Sequence, residues 1–166
     1  MKPNLPSSFI FSVVIYSMLF GVAFDLVTAH MAVEYFTIHH PKVVESQSPL
    51  VMAFVWGIGA SWWFGLICAI TLWQYNARRP NPMQFYSILA LVRRALVIIW
   101  IVMMSILLGI YCVFALVPAY QRKVSFEHDR RLMSVAITHQ TEYVLGGIAL
   151  IVVLWKISKK SSRAAE

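Results

Sequence analysis

LVMAFVWGIGASWWFGLICAITLWQY, residues 50–75, carries no charged side chain from end to end. A helix needs about 20 apolar residues to cross the hydrocarbon core of a bilayer, and this run exceeds that. Backbone amides left bare in lipid are too costly to persist, so the run must be helical to span. Ala53, Gly57, Ser61, Gly65 and Ala69 recur every fourth position within it. That spacing lines five small residues along one helix face, where two backbones can approach closely.

Three more apolar runs flank this one, at about 9–30, 95–119 and 132–155. The first holds Asp25, and the last holds His139 and Glu142. Four spans predict an all-α integral membrane four-helix bundle in a single domain, with first and fourth helices that extend past the outer surface. The first span has its own small-residue stripe, Ser17, Gly21, Asp25 and Ala29, which predicts a close pair with the second. Gly21, Gly57, Ser61 and Gly65 are the expected packing residues.

Composition agrees with a membrane class. Hydrophobic residues make up 60% of the 166-residue chain and charged residues only 13%, against roughly 25% charged in soluble domains. The formal charge of +7 does not indicate nucleic acid, because the cations flank apolar runs and form no continuous basic face. It reads as topology signal and attraction to anionic lipid. Cys68 and Cys112 stand alone inside apolar runs, so neither a redox pair nor a thiolate metal site is indicated.

Lys2, Arg78, Arg79, Arg93, Arg94, Lys156, Lys159, Lys160 and Arg163 fall on one side of the four spans. Lys42, Arg122, Lys123, Arg130 and Arg131 fall on the other. The richer side is predicted to be cytoplasmic, with both chain ends there. A signal peptide cleaved before His30 is the alternative to a first span, but its positive region would rest on one lysine. Asn81-Pro82 predicts a helix start, with residues 83–92 either an interfacial helix or an early start to the third span. Ser125 is the expected N-cap of the last helix, with Glu127 and Asp129 in its first turn.

All five histidines, and every acidic residue but Glu166, fall on the side opposite the predicted cytoplasm. Asp25 and His139 are each sixteen residues from the inner boundary set by Phe9 and Trp155, which places both about 24 Å up. His128, Arg131, His139 and Glu142 share a broad face of the last helix. His30 and Glu34 share a face of the first, if it runs straight, and Asp25 points about 140° away from His30. A compact site therefore uses His30, Glu34, His139 and Glu142, or else Asp25 with the last helix. His39-His40-Pro41 reads as an exposed turn.

Two chemistries fit this cluster. One is a structural network in which Asp25–His139 and Glu34–Arg131 tie helices together. The other is a transition-metal site of imidazole and carboxylate ligands, as facing bundle helices often build. Haem is disfavoured, since no two histidines lie at matched depth on two helices. The stretch TAHMAVEYFTIHHP, with the Trp-Gly and Ala-x-Trp-Trp elements that follow before Leu66, resembles an uncharacterised family of small bacterial multi-span inner-membrane proteins. The resemblance implies a bacterial inner-membrane location and no activity. The expected role is a structural or accessory subunit of a membrane complex, with lipid and either protein partners or further copies of itself around it. The alternatives are a metal-binding protein or metalloenzyme with its site at the outer face, and a small transporter or proton path.

Overall fold

A computed structural model of the chain describes residues 6–116 and 126–163. Lys2, Arg122, Lys123, Ser125, Glu166 and the side chain of Glu127 lie outside them, and with them the expected N-cap of the last helix. The described residues form helices and no strand: α1 (Ser7–Met31), α2 (Val33–Thr37), α3 (Pro49–Ala77), α4 (Phe85–Leu116) and α5 (Phe126–Arg163). Among them α1, α3, α4 and most of α5 are long and apolar enough to cross a bilayer. The chain is a multi-pass membrane protein with the fold of a membrane four-helix bundle.

At 25 and 38 residues, α1 and α5 are about 37 Å and 57 Å long, longer than a core about 30 Å thick. The first helix does not run on through Glu34. Ala32 adopts φ −152° and ψ 84°, although its N–H still donates to the Thr28 carbonyl at 2.9 Å. The chain then turns into α2, which lays Tyr35 and Phe36 into the bundle, leaving them 8% and 2% exposed. Burying two aromatic rings outweighs continuing one straight helix. His30 and Glu34 consequently belong to different helices.

Helix α4 starts at Phe85, and residues 85–92 are its first turns. Asn81-Pro82 precedes it in the connection, and the Gln84 carbonyl accepts the first helical N–H groups, from Ser87 and Ile88. Asn76, at the end of α3, holds that connection. Its amide donates to the Met83 carbonyl at 3.0 Å and accepts from the Met83 N–H at 2.8 Å. Arg93 and Arg94 are exposed on α4, and the Arg79 guanidinium lies 4.1 Å above the Tyr75 ring.

Helices α1 and α3 pack most closely. Ala53, Gly57, Ser61, Gly65 and Ala69 are all buried on α3, opposite buried Ser17 and Gly21 on α1. A Cβ at Gly57 would sit 2.6 Å from the Val22 backbone, and one at Gly65 would sit 2.6 Å from the Ser17 hydroxyl. The Ser61 hydroxyl donates to the Gly57 carbonyl one turn back. Helix α5 packs mainly on α4, and touches α1 and α3 sparsely. A buried cluster of Phe9, Val13, Leu72, Ile88, Val153 and Ile157 closes the end nearer the chain termini. Tyr35, Phe36, Met52, Leu107 and Val135 pack together at the far end.

Candidate functional site

Between those clusters the bundle brings three ionisable side chains together. The Asp25 carboxylate on α1 lies 3.5 Å from His139 Nε2, and the Glu142 carboxylate lies 3.7 Å from His139 Nδ1. The side chains are 5%, 13% and 19% exposed for Asp25, His139 and Glu142. His139 and Glu142 are neighbours because positions i and i+3 share a helix face. Asp25 joins them because it belongs to the stripe Ser17–Gly21–Asp25, which the tight seam with α3 holds inside the bundle. The Thr28 hydroxyl lies 3.2 Å from His139 Nε2 and 3.3 Å from the Phe24 carbonyl.

Aromatic rings enclose the imidazole. Tyr35 stacks on it at 4.7 Å and 25°, Phe24 lies at 4.9 Å, and Phe36 meets it edge-on at 5.4 Å. His40 packs on the same Tyr35 at 4.7 Å and against Trp56 at 4.6 Å. Its Nδ1 is 2.9 Å from the Tyr35 carbonyl, which fixes the ring. His40 is therefore part of an aromatic lid, not a free turn, whereas His39 is exposed. Burial, together with the charges of Asp25 and Glu142, pushes the Tyr35 phenol above its usual range.

Two cavities meet here. One, of about 140 Å³, is lined by Asp25, His139, Glu142 and the rings of Tyr35, Phe36, His40 and Trp56. The other, of about 80 Å³, is apolar and runs from Phe20 and Phe64 to Leu72, Val92 and Val153. Ala60, Ser61, Glu142 and Tyr143 border both. Glu142 thus stands where the polar space gives way to the apolar one.

The other sequence-predicted residues lie elsewhere. His30 is exposed, with Nδ1 2.6 Å from the Leu26 carbonyl. Glu34 meets His128 at 3.8 Å, with both side chains more than a third exposed. Arg131 is exposed on α5. The compact arrangement is the one built on Asp25, and His30 and Glu34 stand apart from it. Thr28, Tyr35 and His40 join the site without having been singled out from spacing, and Trp56 joins with them.

The donor geometry does not fit one metal ion held by the whole cluster. The two carboxylates approach opposite nitrogens of a single imidazole, and a ring nitrogen points its lone pair at one ion only. Among the described residues no three histidine, cysteine or acidic side chains are placed to share an ion. A carboxyl–imidazole–carboxyl row can instead hold and pass protons, because imidazole takes a proton at one nitrogen while releasing one at the other. No family model, curated protein or solved structure matches the chain, so the resemblance over residues 28–66 gains no support from them.

Proposed function

We propose that this chain holds an exchangeable proton within the membrane, on the row Asp25–His139–Glu142. One observation carries the reading: a single, ring-enclosed imidazole lies between two carboxylates, one at each nitrogen, at 3.5 and 3.7 Å. Ionisable side chains inside a membrane are expensive, and they commonly mark ion or proton routes. The site faces the outer side in this reading, with the arginine- and lysine-rich side and both chain ends in the cytoplasm of a bacterial cell and the protein in its inner membrane. Infrared spectra stepped through pH test the proton reading. Carboxyl bands that change with pH should disappear in Asp25→Asn and Glu142→Gln, and shift in His139→Gln. Spectra that stay constant wherever the fold persists would sink the proposal. A reporter fused to the C-terminus that is active only outside the cytoplasm should be silent.

The sparse packing of α5 against α1 and α3 favours a second reading, an accessory subunit whose open seam receives a helix from a partner or another copy. There the row serves only to tie α5 to α1. Cross-linking in mild detergent would then trap a fixed neighbour on α5 or α3, and the pH-dependent bands would be missing.

A further inference from the structure

Two neighbouring cavities have the form of a ligand site. A polar chamber walled by aromatic rings shares Ala60, Ser61, Glu142 and Tyr143 with an apolar crevice, so Glu142 lines both and Asp25 lines the chamber. The Asp25 side chain is 5% exposed and lines the chamber. Among the described residues it accepts no hydrogen bond, and its ion-pair partner is His139 at 3.5 Å. Two carboxyls and one imidazole line the chamber, so the row carries net negative charge once both carboxyls are ionised, whether or not the imidazole holds a proton. The rings of Tyr35, Phe36 and Trp56 line the chamber, and aromatic rings attract a cation that reaches a face.

We propose that the bundle binds a lipophilic organic cation, with its charged head in the aromatic chamber beside Asp25 and Glu142 and its apolar body in the crevice between α1, α3, α4 and α5. Charge complementarity selects this class. An anionic head would meet two carboxylates, and a neutral lipid would leave their excess charge unanswered. A monovalent cation neutralises the site as one added proton would, so the two compete. The proton displaced from the row leaves to the aqueous side nearer α2. The route in from the bilayer is the α3–α5 seam, where packing is sparse. There the Tyr143 hydroxyl reaches the Ala60 carbonyl at 3.5 Å and its ring stacks on Trp63 at 5.9 Å.

The titratable groups facing the two carboxyls are known from each packed element. Helix α2 presents Tyr35, the following loop presents His40, and α5 presents His139 and Tyr143. Along the two cavities α3 contributes one titratable group, the Cys68 thiol, and α4 contributes only apolar side chains.

This inference rests on the row being a proton-exchanging site, and its test separates the two. Full-length protein in detergent or nanodiscs is titrated with two alkyltrimethylammonium ions of different chain length, followed by calorimetry and tryptophan fluorescence. Binding should tighten as pH rises and release roughly one proton per cation into weak buffer. Asp25→Asn and Glu142→Gln should each weaken it by about tenfold or more, and the exposed-site change Glu45→Gln should not. Gly146→Leu, which drives a side chain against Phe64 where a Cβ alone already comes within 2.9 Å, should block the crevice and weaken binding equally. Wild-type proton release needs no variant, so a misfolded mutant cannot hide the answer. Equal binding by all variants, binding without proton release, or equal affinity for a neutral probe of the same shape overturns the proposal. Carboxyl bands that respond to pH in a protein that ignores both cations would refute the cation site and leave the proton reading standing.

Discussion

Asp25 on α1 and His139 on α5 face each other at 3.5 Å inside the bundle, and they provide a direct polar link between the two helices where packing is thin. The link should be measurable by a double-mutant cycle of Asp25→Asn and His139→Gln, with reversible unfolding in detergent. Polar pairs between membrane helices average about 0.6 kcal/mol and reach about 1.7. We expect about 1 kcal/mol here, because both side chains are deeply buried. Single effects that add to within about 0.3 kcal/mol would mean that the two groups do not interact.

The α1–α3 seam makes a sharper prediction. Gly57→Ala places a methyl group 2.6 Å from the Val22 backbone, and backbone cannot yield as a flexible side chain can. Forced overpacking of this kind costs about 1–3 kcal/mol, so the melting temperature should fall clearly. Gly59→Ala meets nothing within 4 Å and should change stability by no more than about 0.5 kcal/mol. Equal effects at the two positions would contradict the seam.

Asn76 is buried and makes two hydrogen bonds to the Met83 backbone. Asn76→Ala should cost about 1 kcal/mol by leaving the partly buried Met83 N–H and carbonyl without this partner. It should also speed proteolysis between residues 78 and 84. Unchanged cleavage would show that the connection is held by other contacts.

Tyr35 makes a prediction at alkaline pH. Its folded pKa is raised above 10.0, chiefly by burial and then by Asp25. The neutral phenol is therefore the form the fold accepts. Its contribution is intact below the unfolded value and is lost as pH rises through the folded one. Wild-type stability should decline across that alkaline window, and Tyr35→Phe should flatten the decline. In absorbance titrations the tyrosine signal removed by Tyr35→Phe should belong to the late part of the curve. A signal lost from the early part instead would be inconsistent with the burial described here.

Much of the bundle is readable from uncharged length alone, because lipid forces any such run into a helix. The depth of Asp25 and His139 follows from counting rise per residue, and the small-residue stripes reveal the faces that turn inward. What counting cannot show is the break at Ala32. Nothing in Met31-Ala32-Val33 is a helix breaker. The turn follows from the gain in burying Tyr35 and Phe36, which exists only once α3 and α5 are in place. That same turn carries His30 and Glu34 out of register with each other and folds His40 back onto Tyr35. The aromatic enclosure of His139 depends on contacts far apart in sequence, and periodicity within one helix carries no trace of them.

The seam at Gly21 and Gly57 also acts as a gauge. Gly21 lies one helical turn below Asp25, so clamping its backbone against α3 sets both the height and the bearing of the carboxylate. One residue inserted between Val22 and Asp25 would swing that carboxylate by about 100°, into the place now held by Leu26 and away from His139, with the Gly21 and Gly57 contacts still intact. The sensitivity of this protein to insertions should therefore be greatest in the three residues between Gly21 and Asp25, because they are the spacer between a mechanical clamp and a charge.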